Sequence, residues 1–399
     1  MNQNLERLHA YPFERLRSLL SDVEPPSDTQ PINLAIGEPK HETPEFIKTA
    51  LTDALADGIN RYPPTRGTAE LRESIRDWLV GRYELDAASL DIDRHILPVA
   101  GTREALFAIA QAVIDVDREP VVAMPNPFYQ IYEGAALLAG ADPLYLNDVS
   151  WVDHVPDIDN VSADQWRHCQ LVYICSPANP SGDVLSTSWL TRLIALADKY
   201  DFVIASDECY SELYPDDGDP PPGLLSACRD LGRDDYRRCL VFHSLSKRSS
   251  APGLRSGFVA GDPEILERFF RYRTYHGCAM PLHTQAASEA AWRDEAHVRD
   301  NRRRYSEKFE AVTDALAPTL YLSAPPGGFY LWPDIGGDDE TFARECYRAT
   351  GVTVLPGSYL SRQTERGNPG SGRVRIALVA DQNECVEAAQ RLRRFLDES

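Results

Sequence analysis

The stretch LVYICSPANPSGDVLSTSWLTRLIALADKYDFVIASDECY, Leu171 to Tyr210, decides the fold. LVYIC (171–175) is short, apolar and β-branched, and it breaks at once into the Pro-, Asn- and Gly-rich turn SPANPSG (176–182). TSWLTRLIALADKY (187–200) then reads as an amphipathic helix, and FVIAS (202–206) as a second buried strand. Strands alternating with helices predict an α/β domain with a largely parallel sheet.

The same alternation extends on both sides. VVAM (121–124), LVFH (240–243) and GFVAG (257–261) read as further buried strands, and REALFAIAQAVIDV (103–116) and PEILERFFRYRTY (263–275) as helices. The last third changes character. DEAHVRDNRRRYSEKFEAVTDAL (294–316) reads as a long polar-faced helix, GFYLW (328–332) and VRIALV (374–379) as short strands, and ECVEAAQRLRRFL (384–396) as a closing helix. A second, smaller α+β domain is expected beyond a boundary near residue 290. DDGDPPPG (216–223) and RQTERGNPGSG (362–372) read as solvated loops.

A net charge of −20 disfavours a nucleic-acid scaffold or an anionic membrane surface, both of which require a basic face. The eight cysteines show no CxxC and no zinc-ligand spacing, so reduced core thiols and no metal are expected. The first twenty residues contain no apolar signal core and no window approaches a membrane span, so the expected location is cytoplasmic.

In an open parallel sheet, ligands bind beyond the carboxyl ends of the strands. There LVYIC runs into Asn179, FVIAS into Asp207 and Tyr210, and LVFH into Ser244, Ser246 and Lys247. Gly101 and Thr102 open a helix, whose free N–H groups suit a phosphate. Each part alone has an ordinary reading: a surface lysine, a capping aspartate, a turn asparagine. Their conjunction carries the weight. Lys247 is one of five lysines among 41 basic residues, and only an amine condenses with an aldehyde to a Schiff base. Pyridoxal phosphate needs such an amine, an anion beside its ring nitrogen, and donors for its phenolic oxygen and phosphate.

At this point the chain resembles the class I/II, fold-type-I aminotransferases. The likeness runs through NLAIGEP (33–39), YPPTRGTAELRESI (62–75), AGTREAL (100–106), PNPFYQIY (125–132), SPANPSG, SDECY (206–210), SLSKRSSAPGLRSGF (244–258), GGFYLW (327–332), LPGSYLS (355–361) and RVRIAL (373–378). It implies a pyridoxal 5′-phosphate enzyme with a mostly parallel seven-stranded sheet in residues 46–290. The small domain would comprise residues 291–399, with 1–45 contributing to it. Position by position, Lys247 matches the lysine that binds the cofactor and moves the substrate's α-proton. Asp207 matches the partner of the ring nitrogen, and Tyr210 and Asn179 match the donors to the phenolic oxygen. Tyr129 falls where an aromatic ring stacks on the cofactor, with Phe128 as the alternative. Thr102, Arg103 (mainly through its backbone), Ser244, Ser246 and Arg255 match the phosphate site. Tyr62 matches a tyrosine reaching the phosphate of the neighbouring subunit, which implies a homodimer. Arg375, rather than nearby Arg373, matches the arginine that holds the α-carboxylate, helped by Asn179 and the backbone of Gly37. Arg248 has no assigned role.

YRTYHGCAMPLHTQAAS (272–288) and LHAYPFERLRSLL (8–20) resemble the branch that transfers the amino group between N-succinyl-LL-2,6-diaminopimelate and 2-oxoglutarate. Such a long anionic substrate calls for a second cation, with Arg15, Lys40, Arg273 and His276 as candidates. Aromatic, alanine or aspartate aminotransferases and C–S β-lyases share the cofactor motifs and remain alternatives. A regulatory module is disfavoured, since no extra basic domain precedes residue 30.

Overall fold

The computed structural model describes residues 1–148, 155–215, 219–317, 319–320 and 322–398. After β1 (Ile32–Asn33), seven strands form the main sheet: β2 (Ile96–Val99), β3 (Val121–Asn126), β4 (Asp142–Asn147), β5 (Cys169–Cys175), β6 (Val203–Asp207), β7 (Cys239–Ser244) and β8 (Gly257–Gly261). Their order is β2-β8-β7-β6-β5-β3-β4. β7, β6, β5, β3 and β4 pair in parallel, while β8 runs antiparallel to both β7 and β2. The expected α/β architecture is therefore present, with GFVAG as the reversed strand.

Both faces of the sheet are covered, which is why its strands are apolar without alternation. Val172 and Ile174 of β5 belong to one core, and Leu171 and Tyr173 to the other. The helix Thr187–Tyr200 buries Trp189, Leu190, Leu193, Ile194 and Ala197, spaced along one face. Ser186 caps its first turn by accepting from the Trp189 N–H, and Asp201 ends it in the left-handed region at φ +65°. The helix Thr102–Val113 packs within the opposite core.

β2 and β4 were not legible as strands. Both are sheet edges and both contain proline, Pro98 and Pro143, which an edge tolerates because one side of the strand needs no N–H donor.

The remaining strands are short: β9 (Tyr330–Leu331), β10 (Val352–Thr353), β11 (Leu355–Pro356) and β12 (Val374–Ala377). β1 pairs in parallel with β10, so Ile32 and Leu34 share a core with Phe309, Val352 and Ile376. β11, β12 and β9 form an antiparallel sheet that aims Arg375 back toward the main sheet's carboxyl edge. Of the two stretches expected to be solvated loops, 362–372 is anchored: Arg362 donates to both carboxylate oxygens of Glu133 at 2.8 and 2.6 Å. In the other, residues 216–218 lie outside the described residues.

Arg248 acquires a structural reason. Its guanidinium is 1% exposed and lies 5.6 and 4.8 Å from the ring centroids of Trp78 and Trp292. It donates to Ala291 O at 2.8 Å and is paired with Glu295. Arg248→Ala would strip a desolvated carbonyl and a half-buried carboxylate of their partner, and should lower the unfolding free energy by about 3 kcal/mol. A urea midpoint within error of wild type would contradict this assignment.

Candidate active site

The carboxyl ends of β5, β6 and β7 meet because the strands are parallel and in register, Cys175 opposite Asp207 and Asp207 opposite Phe242. A cavity of about 410 Å³ opens there, between these ends, the start of the Thr102–Val113 helix and the N-terminal segment. The structure brings to it Lys247, Asp207, Tyr210, Asn179, Thr102, Arg103, Tyr129, Ser244, Ser246, Arg255, Arg375 and Gly37.

Lys247 sits just beyond β7 on the short helix Leu245–Arg248, and its Nζ donates to Gly37 O at 2.6 Å. Burial pushes the amine down to about 8; nearby Arg375 also lowers it, while Cys209, Glu38 and Asp207 pull the other way. Gly37 has to be glycine, since a Cβ there would overlap the Tyr330 hydroxyl.

Asp207 is 4% exposed, and burial raises its carboxyl above the usual range. The Tyr132 hydroxyl (2.7 Å) and the Cys209 backbone N–H (3.2 Å) donate to it and offset part of that rise. The Tyr132 ring is fixed by stacking on Tyr173 at 4.7 Å. Among the described residues no cation forms an ion pair with Asp207.

Tyr210 is buried with its hydroxyl 3.0 Å from that of Tyr330, and burial raises its phenol well above the ordinary value. Arg375 stacks over the Tyr330 ring at 4.5 Å and donates to Asn179 Oδ1 (2.9 Å) and Ala35 O (2.7 Å). Its Nε is buried and has no hydrogen-bond partner, a donor left over for a ligand. Arg373 instead donates to Trp332 O at 3.0 Å and does not line the cavity.

The Ser244 hydroxyl accepts from the Ser246 N–H at 3.1 Å and donates to the Ser246 hydroxyl at 2.9 Å. Arg255, in the left-handed region at φ +52°, lays its guanidinium against Gly101. A Cβ at Gly101 would fall 2.2 Å from Arg255 Nη2, and φ +87° there also favours glycine.

These features fit pyridoxal phosphate. A buried carboxylate without a counter-cation matches a protonated ring nitrogen, and the Ser244, Ser246 and Arg255 cradle beside a helix start matches a phosphate.

Other expectations divide. Tyr129 lines the cavity, whereas Phe128 is 1% exposed and packs on Tyr145 in the core. The Arg103 side chain does not stay passive: it donates to the hydroxyls of Tyr129 (2.7 Å) and Tyr11 (2.8 Å). Tyr62 is fully exposed and lies outside the cavity lining of this chain. None of the four candidates for a second cation lines the cavity. Arg15 pairs with Glu340, Lys40 with Glu384 and Arg273 with Glu104, while the His276 ring contacts the Cys278 thiol. Tyr132, Tyr330 and Tyr11 took no role in the sequence reading. Tyr132 and Tyr11 lay in stretches that drew attention for another residue, Tyr330 in one read only as a strand and a family motif, and a tyrosine in such a run reads equally well as core.

Residues 29–392 match the family model described as aminotransferase class I and II. An aminotransferase from Neisseria meningitidis has a similar solved structure, with TM-score 0.94 and 48% identity over 99% of this chain and 100% of that one. The LL-diaminopimelate aminotransferase of Nitratidesulfovibrio vulgaris is 28% identical over 369 residues, 91% of this chain and 91% of that protein. OxyQ of Streptomyces rimosus, a 4-dedimethylamino-4-oxo-anhydrotetracycline transaminase, is 33% identical over 368 residues, 90% of this chain and 92% of its own.

Proposed function

This chain belongs to the class I and II aminotransferases, which depend on pyridoxal 5′-phosphate, and we propose that it transfers the amino group of N-succinyl-LL-2,6-diaminopimelate to 2-oxoglutarate. The similarity to an enzyme named for LL-diaminopimelate supports a diaminopimelate skeleton, and the 272–288 and 8–20 stretches support its succinylated form. A comparably similar relative is named for a tetracycline intermediate, so the donor is the point to test. The observation that carries the residue assignment is the meeting of Lys247, Asp207 and Arg375 at one cavity.

The cofactor supplies an electron sink for the charge left when the substrate's α-proton departs. Neutral Nζ of Lys247 takes that proton, and the protonated form returns one. Asp207, its carboxylate fixed by the Tyr132 hydroxyl, would pair with the cofactor's protonated ring nitrogen. Tyr210 and the Asn179 amide would donate to the phenolic oxygen, and Tyr129 would stack on the ring. Ser244, Ser246, Arg255, Thr102 and the Arg103 backbone would hold the phosphate. Arg375 grips the α-carboxylate in a fork that includes its spare Nε, with Asn179 and Gly37 beside it. Two 2-oxo acid half-reactions on one site give ping-pong kinetics. Residues 46–290 form the cofactor-binding domain, and 1–45 with 291–399 the smaller one. The working unit is a homodimer in the cytoplasm, in which Tyr62 reaches the phosphate of a second copy. Its full exposure in the single chain and eight unpaired thiols support these two points.

Glutamate formation from 2-oxoglutarate, measured with N-succinyl-LL-diaminopimelate beside LL-diaminopimelate, alanine, aspartate and an aromatic donor, tests the substrate. The succinylated donor should give the highest kcat/KM; preference for another would sink the assignment.

The lowered pKa of Lys247 also sets a pH dependence. Its amine is half protonated near 8, so condensation of the apoprotein with pyridoxal phosphate should climb with pH through a midpoint near 8 and level off above it. An unperturbed lysine would keep climbing to ~10.4. Rates still rising past pH 10 would contradict the buried-amine account.

A further inference from the structure

Lys247 is held at its tip by Gly37 O, but the backbone from which its side chain springs is held from another direction. The helix Leu245–Arg248 is a single turn, and so short a helix cannot bond the carbonyls of its own last residues. Asn301 does so from the long helix Ala296–Leu316. Its Nδ2 donates to Lys247 O at 3.0 Å and to Arg248 O at 3.3 Å. Carbonyls only accept, so the amide must face them with its nitrogen. Its Oδ1 in turn accepts from His41 Nδ1 at 2.8 Å and from the Ser250 hydroxyl at 3.2 Å. Both polar atoms of this buried amide are therefore engaged.

The contacts converge on one stretch of chain. Gly37 holds the tip of Lys247, and His41, a little further along the same segment, holds its backbone through Asn301. The Thr43 hydroxyl adds a bond to Ser250 O at 2.6 Å. The His41 ring packs on Tyr305 with centroids 4.6 Å apart, which sets its direction toward Asn301. Neither Asn301 nor His41 lines the cavity around Lys247, so any effect on the reaction must pass through Lys247 itself. A proton moves between positioned groups, and a displacement of ~1 Å in such geometry costs about 100-fold in rate. We infer that Asn301, oriented by His41, is a positioning residue that fixes the backbone of Lys247 for proton transfer. The inference rests on the reading of Lys247 as the group that moves the substrate's α-proton.

An amide with a purely structural role would stabilise the fold and leave the chemistry of folded enzyme unchanged. Single turnover of the pyridoxal phosphate enzyme, counted by bound cofactor, separates the two, with L-glutamate and L-glutamate deuterated at the α-carbon as donors. Asn301→Leu fills much the same space without a hydrogen-bond donor, and His41→Phe keeps a ring on Tyr305 without the bond to Asn301. Each should lower the rate constant at saturating glutamate, Asn301→Leu by about 10- to 100-fold and His41→Phe by less. The half-saturating glutamate concentration should stay at the wild-type value, and the deuterium effect should be at least as large as in wild type. A wild-type rate constant in either variant, a loss confined to half-saturation, or a smaller deuterium effect would overturn the inference. Should Asn301→Leu not fold, His41→Phe alone decides. If Lys247→Ala keeps the wild-type rate, the reading of the site has failed and this inference with it. If Lys247→Ala is inactive while Asn301→Leu or His41→Phe reacts as wild type does, this inference alone has failed.

Discussion

Lys247→Ala is expected to abolish transamination, with kcat lowered by about 10⁴-fold or more, because the change removes both the covalent anchor and the acid–base group. No neighbour can take over. Only Lys247 of the five lysines lines the cavity. Lys308 is the instructive comparison, because burial lowers its amine to about 8 as well. Its Nζ, however, is directed at Leu378 O and Val379 O, at 3.3 and 3.5 Å, and it contributes nothing to the cavity wall. A low pKa therefore does not by itself mark the reactive lysine; position does. Lys247→Arg should be as inactive, since a guanidinium stays protonated and cannot condense. Both variants should still bind the cofactor, because Asp207, Ser244, Ser246 and Arg255 are untouched. Single-turnover loss of the cofactor's absorbance on mixing with glutamate is the measurement. A Lys247→Ala rate within tenfold of wild type would contradict the role.

The second large effect is at Arg375. Its guanidinium already spends one nitrogen on Asn179 and another on Ala35 O, so its plane is set before any ligand arrives. The Tyr330 ring beneath it adds a face on which a flat guanidinium rests at 4.5 Å. Arg375→Met should cost about 2–5 kcal/mol in kcat/KM, as expected when one partner of a buried charge pair is truncated. The loss should be common to all amino-acid substrates, dicarboxylic or not, because every one of them carries the α-carboxylate. Arg375→Lys should recover little, because a point charge cannot reproduce the fork or the stacking. Steady-state kinetics with glutamate and with a neutral amino acid would check both statements, and a loss confined to one substrate class would contradict them.

The legibility of this chain followed where chemistry and secondary structure coincide. β3, β5, β6, β7 and β8 stood out as compact apolar runs, and three of them deliver their polar cargo directly at the carboxyl end. β2 and β4 did not, because prolines at sheet edges erase the signal of a strand. The reversed direction of β8 was invisible, since GFVAG reads the same whichever way it runs. Among site residues, Lys247 and Asp207 were legible because charge at those strand ends is unusual, whereas Arg375 came only from the family resemblance. Tyr132 was not, although its hydroxyl touches Asp207, because a tyrosine packed on Tyr173 satisfies a core position equally well. The four candidates for a distal cation could not be ranked for a different reason. The partners that occupy Arg15 and Lys40, Glu340 and Glu384, lie more than three hundred residues away in sequence, and only the fold brings them together.

The central claim is that Lys247 carries the cofactor, and the chain's five lysines make it directly testable. Holoenzyme reduced with borohydride, digested and mapped by mass spectrometry should show the phosphopyridoxyl group on the peptide that contains Lys247, at one equivalent per chain. Label on Lys308, or on any of the other three lysines, would contradict the account.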